Sequence, residues 1–418
     1  VSPPAGDEAE PQASDTCASQ SGATVSSQPS LVTIAREWGR IGLTGFGGPP
    51  AHIALLRRLC VEDRRWITAQ DFQDGVATTN LLPGPASTQL AIFCAWRLQG
   101  ACGALIGGAC FILPGLVIIL GLSVLFLEHH PASWLLGAAA GADAVVPAVA
   151  LGAAVGFVPA SWRRMEPGRS GRVRWVLYGL SGGAAAATIG PYLVLVLLGC
   201  GAIEVATRST HRTPRRSAHA VLIGAFGHSP LIATLAAGSA AMGGLGAVAW
   251  VALKVGALSY GGGFVIIPLM QHDAVTTYHF MTGPQFLDAV ALGQVTPGPV
   301  VLTVAVVGYA AHGLAGALIA VTVAFAPSFG FIMIGGPRFD QLRSSETVQA
   351  FLTGAGPAVI GAIAGSAIPL GLALGHWWQV PVLGAALVWL IALRRGVVPG
   401  LLGAAGVGVL LALSGVAV

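Results

Sequence analysis

The chain contains itself twice. From Phe46 to Pro85 and again from Tyr260 to Pro299, two stretches align without a gap at a constant offset of 214 residues. Gly47-Gly48 falls on Gly261-Gly262, Ile53 on Ile267, Thr68 on Thr282, Asp74 on Asp288, and Pro83-Gly84-Pro85 on Pro297-Gly298-Pro299. After a one-residue slip the match resumes, placing Ala104-Leu105-Ile106 on Ala317-Leu318-Ile319, Pro114 on Pro327, and Gly141-Ala142 on Gly354-Ala355. A repeat of this length marks a duplicated structural unit whose copies are expected to assemble around shared elements.

Composition decides the solvent. With 54% hydrophobic and 9% charged residues and a mean hydropathy of +0.76, the chain is far from the soluble norm of about 25% charged. It reads as an integral membrane protein. Apolar stretches long enough to cross a core of about 30 Å recur at 103–127, 134–158, 221–242, 314–334 and 347–372. Barrel-like alternation is missing, so the spans are expected to be helices. Residues 1–30 are rich in Ser, Ala and Pro with only acidic charge. They read as a disordered cytoplasmic tail, and no basic n-region with an apolar h-region predicts a cleavable signal peptide. The six cysteines have neither zinc spacing nor a disulfide framework, and the ten histidines are scattered. No metal or cofactor is implied.

Arginine placement sets the orientation, because Lys and Arg near membrane ends accumulate on the cytoplasmic side. Arg57, Arg58, Arg64 and Arg65 crowd one loop of the first copy, whereas its counterpart, Gln271 to His279, has no Lys or Arg. The next loop reverses the pattern, with none in Glu128 to Pro131 and Arg338 and Arg343 opposite. Two loop pairs therefore swap sides. For this to hold, Leu31 to Leu56 and Thr68 to Leu98, and their partners near 246–270 and 282–311, must each enter and leave on one face. The expected fold is an all-α polytopic membrane protein, an inverted-topology duplicated repeat with broken or re-entrant helical hairpins and four full spans after each pair. The first repeat covers 31–206. A basic linker and connecting transmembrane helix follow at 207–245, and the second, inverted repeat covers 246–418. Glycine clusters at Gly45 to Gly48 and Gly261 to Gly263, together with the two Pro-Gly-Pro turns, supply the helix breaks.

Unpaired backbone at membrane depth is tolerated only around a protein-lined or watery site, so four broken hairpins point to one centre. Broken-helix N-termini suit an anion. Arg40 aligns with Lys254, the only lysine in the chain, about seven residues before each glycine turn. Intramembrane cations mark pathways or buried partners. Snorkelling to the interface, or pairing of Arg40 with Glu37, is the structural alternative. Asn80 matches Gln294 and Phe46 matches Tyr260, and an amide one turn before each Pro-Gly-Pro could donate to a bound ion or satisfy freed carbonyls. Asp74 and Asp288 could couple ions or serve helix ends and salt bridges. Asp143 lies in an apolar span where Gly356 replaces it in the second copy, so it is a candidate for coupling or for a structural pair.

FGGPPAHI at 46–53, LLPGPASTQL at 81–90, SYGGGFVIIP at 259–268 and QVTPGPV at 294–300 closely resemble the chromate transporter family in its long, two-domain form. The resemblance covers roughly residues 31–418, and its specificity lies in four motifs in order. It implies export of chromate across the bacterial inner membrane, with sulfate as the chemically similar competitor. The second half carries Ile266 where the first has His52, so no duplicated histidine role follows. Chromate, a tetrahedral dianion, would meet Arg40, Lys254, the backbone N–H groups of Gly47, Gly48, Gly261 and Gly262, Asn80, Gln294, Tyr260 and the turns Pro83-Gly84-Pro85 and Pro297-Gly298-Pro299. Asp143, Asp74 and Asp288 are the coupling candidates. A sulfate importer and a passive channel are rival readings. A chromate reductase is disfavoured because Gly42-x-x-Gly45-x-Gly47 lacks dinucleotide spacing. The net charge of +4 implies no nucleic-acid partner, its arginines being topology determinants. Gly103-x-x-x-Gly107 and Gly403-x-x-Gly406 could pack helices within one chain or in a homodimer.

Overall fold

The structure, a computed structural model, describes residues 28–46, 48–79, 82, 84–127, 132–188, 193–209, 244–259, 266–335 and 345–417. Among these residues there are helices and no strands. The first half runs through α1 (Leu31–Thr44), α2 (Pro49–Arg57), α3 (Ala69–Thr79), α4 (Ala86–Leu127), α5 (Ser133–Asp143), α6 (Val146–Arg164), α7 (Arg169–Thr188) and α8 (Leu193–Ser209). The second runs through α9 (Leu245–Leu258), α10 (Ile266–Gln271), α11 (Gly283–Val295), α12 (Thr303–Gly335), α13 (Glu346–Leu372), α14 (Gln379–Leu387) and α15 (Val397–Leu413). The expected connecting span at 221–242 and most of the basic linker lie outside the described residues.

The duplication holds in three dimensions. Helix α9 occupies the residues of α1 shifted by the repeat offset, and the π-helical turns Arg58–Asp63 and His272–Thr277 that end α2 and α10 do the same. Each turn closes with a left-handed residue at a matched place, Arg65 (φ 50°) and His279 (φ 51°). Four of the early helices are too short to cross a bilayer. At 14, 11, 14 and 13 residues, α1, α3, α9 and α11 reach only about 17–21 Å. They are the outer arms of the expected hairpins, and Gly75 of α3 lies against Leu90 and Phe93 of α4.

Helix α4 has 42 residues, about 63 Å if straight, twice the thickness of a bilayer core. It does not run straight. Gln99 (φ −140°, ψ 28°) and Gly100 (φ 57°, ψ −145°) interrupt it, and in α12 His312 and Gly313 do so with nearly the same angles. Gly107 packs on Ala95, and Gly308 packs on both Gly316 and Ala320. Residues 8 and 12 apart on a straight helix are separated by about 12 and 18 Å, so the chain reverses at each break. The second arms then continue to Leu127 and Gly335 as long apolar helices.

Four helical stretches among the described residues are long and apolar enough to cross a membrane: Ala86–Leu127, Ser133–Arg164, Val300–Gly335 and Glu346–Leu372. The expected span 134–158 is not one uninterrupted helix, because a turn at Ala144-Val145 separates α5 from α6. Small residues bring the helices together. Gly137 and Gly141 of α5 meet Gly408 and Ala404 of α15, while Gly179, Gly182 and Gly183 of α7 meet Gly361, Ala358 and Gly365 of α13. Gly103 and Gly107 are used within the chain, whereas Gly403 and Gly406 face open space.

Candidate substrate site

Two backbone hydrogen bonds tie the halves together, and each is the mirror of the other. The Gly84 N–H of the first Pro-Gly-Pro turn donates to the carbonyl of Ser259 at 2.6 Å, and the Gly298 N–H of the second donates to the carbonyl of Gly45 at 3.2 Å. Ser259 is the repeat counterpart of Gly45, and both end their helices, α9 and α1. Contacts behind the turns are exchanged in the same way. Gly115 of α4 packs on the Pro297 carbonyl, and its counterpart Ser328 of α12 lies beside Gly84. Exchange of equivalent contacts is the signature of a two-fold relation between units. Each half thus inserts its proline turn between the first helix and the long helix of the other.

The turns need glycine at their centres. Gly84 has φ +130° and Gly298 φ +106°, in the region where a Cβ is strained. Around Gly84 a Cβ would also collide with the Gln89 amide and approach Ser328 Oγ to 3.1 Å. His52 secures the other crossing. Its Nε2 lies 2.8 Å from the Gly45 carbonyl, an acceptor only, so this nitrogen carries the proton. The ring is fully buried with its edge against Phe111 at 5.0 Å between centroids. The Gly45 carbonyl thus accepts from both His52 and Gly298, whereas the matching Ser259 carbonyl accepts from Gly84 and Ile266 stands in the place of His52.

The backbones of the crossings match, but their linings do not. Beside Gly84 stand Ser259 and Ser328, both with no exposed surface and with hydroxyls that have no hydrogen-bond partner among the described residues. Beside Gly298 the equivalent places hold Gly45 and Gly115. The helix after the first turn opens Ala86-Ser87-Thr88-Gln89, and the buried Thr88 hydroxyl is likewise without a partner. The helix after the second opens Val300-Val301-Leu302-Thr303, wound as a 3-10 turn in which the Thr303 hydroxyl donates to the Val300 carbonyl at 2.8 Å.

Of the residues selected from sequence, Gly84, Pro85, Pro297, Gly298 and Pro299 are buried at the crossings, as is Gln294, whose Nε2 has no partner. Gly48 caps α2 with φ +73°. Gly47, Asn80, Pro83, Tyr260, Gly261 and Gly262 lie outside the described residues. The two matched cations each meet an acid. Arg40, 65% exposed, pairs with Glu37 at 3.3 Å, and Glu37 also holds Arg64 at 3.0 Å. Lys254, 19% exposed, pairs with Asp273 at 2.5 Å and lies over the Trp250 ring. Asp74 accepts from the Gln70 amide at 3.3 Å. Its counterpart Asp288 instead lies close to the Asp143 carboxyl, joining the second half to the first. Sequence reasoning missed Thr88, Ser259 and Ser328. The signal was where the repeat fails: serine opposite Gly45 and Gly115, and Ser-Thr-Gln after the first Pro-Gly-Pro turn where Val-Val-Leu follows the second.

A sequence model of the chromate transporter family matches residues 32–205 and 246–411, one match in each half. The chromate transport protein of Cupriavidus metallidurans is 30% identical over 370 residues, covering 86% of this chain and 87% of that one. The chromate transport protein of Pseudomonas aeruginosa is 32% identical over 340 residues, 79% of each. A probable chromate transport protein of Synechococcus elongatus is 29% identical, over 82% of this chain and 85% of the relative. No solved structure matches. With both halves matched and the crossed proline turns formed by the motifs that carry the likeness, the chain belongs to the chromate transporter family.

Proposed function

We propose that the chain exports chromate from the bacterial cytoplasm by alternating access, with the substrate held between two halves inserted in opposite senses. The observation that carries this reading is the reciprocal pair of hydrogen bonds, Gly84 to Ser259 and Gly298 to Gly45. A two-fold relation gives two conformations of equal build, one open to each face, when one half exchanges its arrangement for that of the other. The arginine asymmetry of the loops supports an axis in the membrane plane, with the N-terminus in the cytoplasm and the bilayer that of the inner membrane.

Energetics favours the outward direction. A dianion leaving an inside-negative cell gains roughly 4.6 kcal/mol per 100 mV, twice the value for one charge. The neighbouring Asp143 and Asp288 carboxyls are the coupling candidates. Two carboxyls brought this close can share one proton, which the pair can take up or release as the halves move. Arg40 and Lys254 stay within the reading as the matched cations, each of which must leave its carboxylate to touch the substrate. The relatives named as transport proteins support a carrier rather than an enzyme.

The test is uptake of labelled chromate by everted membrane vesicles under an imposed potential, with sulfate as competitor. Potential-driven uptake that sulfate inhibits supports the reading. Uptake only under a proton gradient, lost in Asp143→Asn, assigns the driving force to the carboxyl pair. No chromate uptake under either condition rejects export of chromate.

A further inference from the structure

The two crossings share one backbone, yet only one has anything to offer an oxygen-rich anion. Ser259 and Ser328 flank Gly84 with hydroxyls that are wholly buried and unpartnered. Ser328 is aimed at the turn, 3.1 Å from where a Gly84 Cβ would sit. Thr88 has no exposed surface and an unpartnered hydroxyl. It lies in the first turn of α4, directly after the Pro-Gly-Pro turn, while the residue that reaches Gly84 as Leu302 reaches Gly298 is Gln89. Buried hydroxyls are normally satisfied, and three left open on the segments that meet at this turn call for an acceptor. The first turn of α4 adds N–H groups without intrahelical acceptors and the positive end of its dipole. At Gly298 the matching stretch presents valine and leucine.

We propose that the Gly84 crossing is the oxyanion subsite, with the hydroxyls of Ser259, Ser328 and Thr88 and the first-turn N–H groups of α4 as donors, and that the Gly298 crossing is its dry counterpart. The inference rests on the chromate-transport reading and assigns that substrate to one of two symmetric places. A tetrahedral dianion supplies acceptors in four directions, which suits donors converging from α4, α9 and α12. Neutral donors also suit a carrier, since they hold a dianion without the full attraction of a buried cation and so permit its release.

The experiment is equilibrium binding of chromate, and separately of sulfate, to the purified full-length protein in detergent, beside chromate uptake in proteoliposomes. Ser328→Ala and Ser259→Ala should each weaken chromate binding about tenfold or more, as loss of a hydrogen bond to a charged group does. Ser328→Cys, which keeps the volume and removes the strong donor, should follow Ser328→Ala. If Ser328 only packs, Ser328→Cys retains wild-type affinity and the subsite is overturned. Thr303→Val, at the dry crossing, should bind as the wild type does; a tenfold loss there instead would move the site to Gly298 and overturn the assignment. Unchanged affinity in both serine variants overturns the subsite while leaving the transport reading intact. Absence of chromate and sulfate binding by the wild type overturns both. Monodispersity in gel filtration identifies misfolded variants, and Thr88→Ser, which keeps a hydroxyl, against Thr88→Val gives the same contrast at a third position.

Discussion

At Gly84 and at Gly298 the same backbone trick, a proline turn handed to the opposite half, is lined in opposite ways. The open hydroxyls of Ser259 and Ser328 flank the first, while glycines and a leucine flank the second. The difference teaches that duplication conserves the part of the design that must be symmetric. Interlocking of the halves needs both turns, so Gly84 and Gly298 both keep their left-handed φ. A single ion needs donors in one place, and the second set of side chains is free to become packing.

The largest effect is expected at the turns themselves. Gly84→Ala combines backbone strain with collision against Gln89 and Ser328, which should destabilise the protein by about 3 kcal/mol and abolish transport. Gly298→Ala meets no atom nearer than 3.5 Å, so strain alone remains, about 1–2 kcal/mol. Thermal unfolding in detergent should rank the two. Equal losses would show that the crossings are packed alike.

The matched cations give a second contrast. Lys254→Ala leaves Asp273, only 4% exposed at its side chain, buried without its partner, at a cost of about 3 kcal/mol. Arg40→Ala removes a guanidinium that is 65% exposed, and Glu37 keeps Arg64, so less than about 1 kcal/mol should be lost. Loss of chromate uptake in well-folded Arg40→Ala would mean that the guanidinium leaves Glu37 to meet the substrate. An effect between these two is expected for His52→Leu. It removes one of the two hydrogen bonds to the Gly45 carbonyl and should cost about 1 kcal/mol in thermal unfolding; a neutral result would show that the Gly298 N–H alone holds that carbonyl.

Much of the architecture was legible because the repeat carries its own ruler. The offset placed α9 on α1, and glycine and proline chemistry marked where helices had to break. The pairing of Arg40 with Glu37 was open to sequence reasoning because the two lie one helical turn apart. Lys254 with Asp273 was not, since the acid comes from the turn after α10 and its repeat counterpart is Leu59. Asp143 with Asp288 was hidden for a deeper reason: the two carboxyls belong to different halves, and a contact between halves leaves no periodicity along either. The open hydroxyls escaped because attention fell on what the copies share, whereas Ser259 and Ser328 stand where they differ.

The most direct measurement is the sidedness of two matched cysteines in a cysteine-free protein, Glu62→Cys and Thr276→Cys. Both positions are exposed and lie on the paired π-helical turns. A membrane-impermeant thiol reagent should label Thr276→Cys from outside intact cells and reach Glu62→Cys only in everted vesicles. Labelling of both from the same side would contradict oppositely inserted halves and, with them, alternating access through two crossed turns.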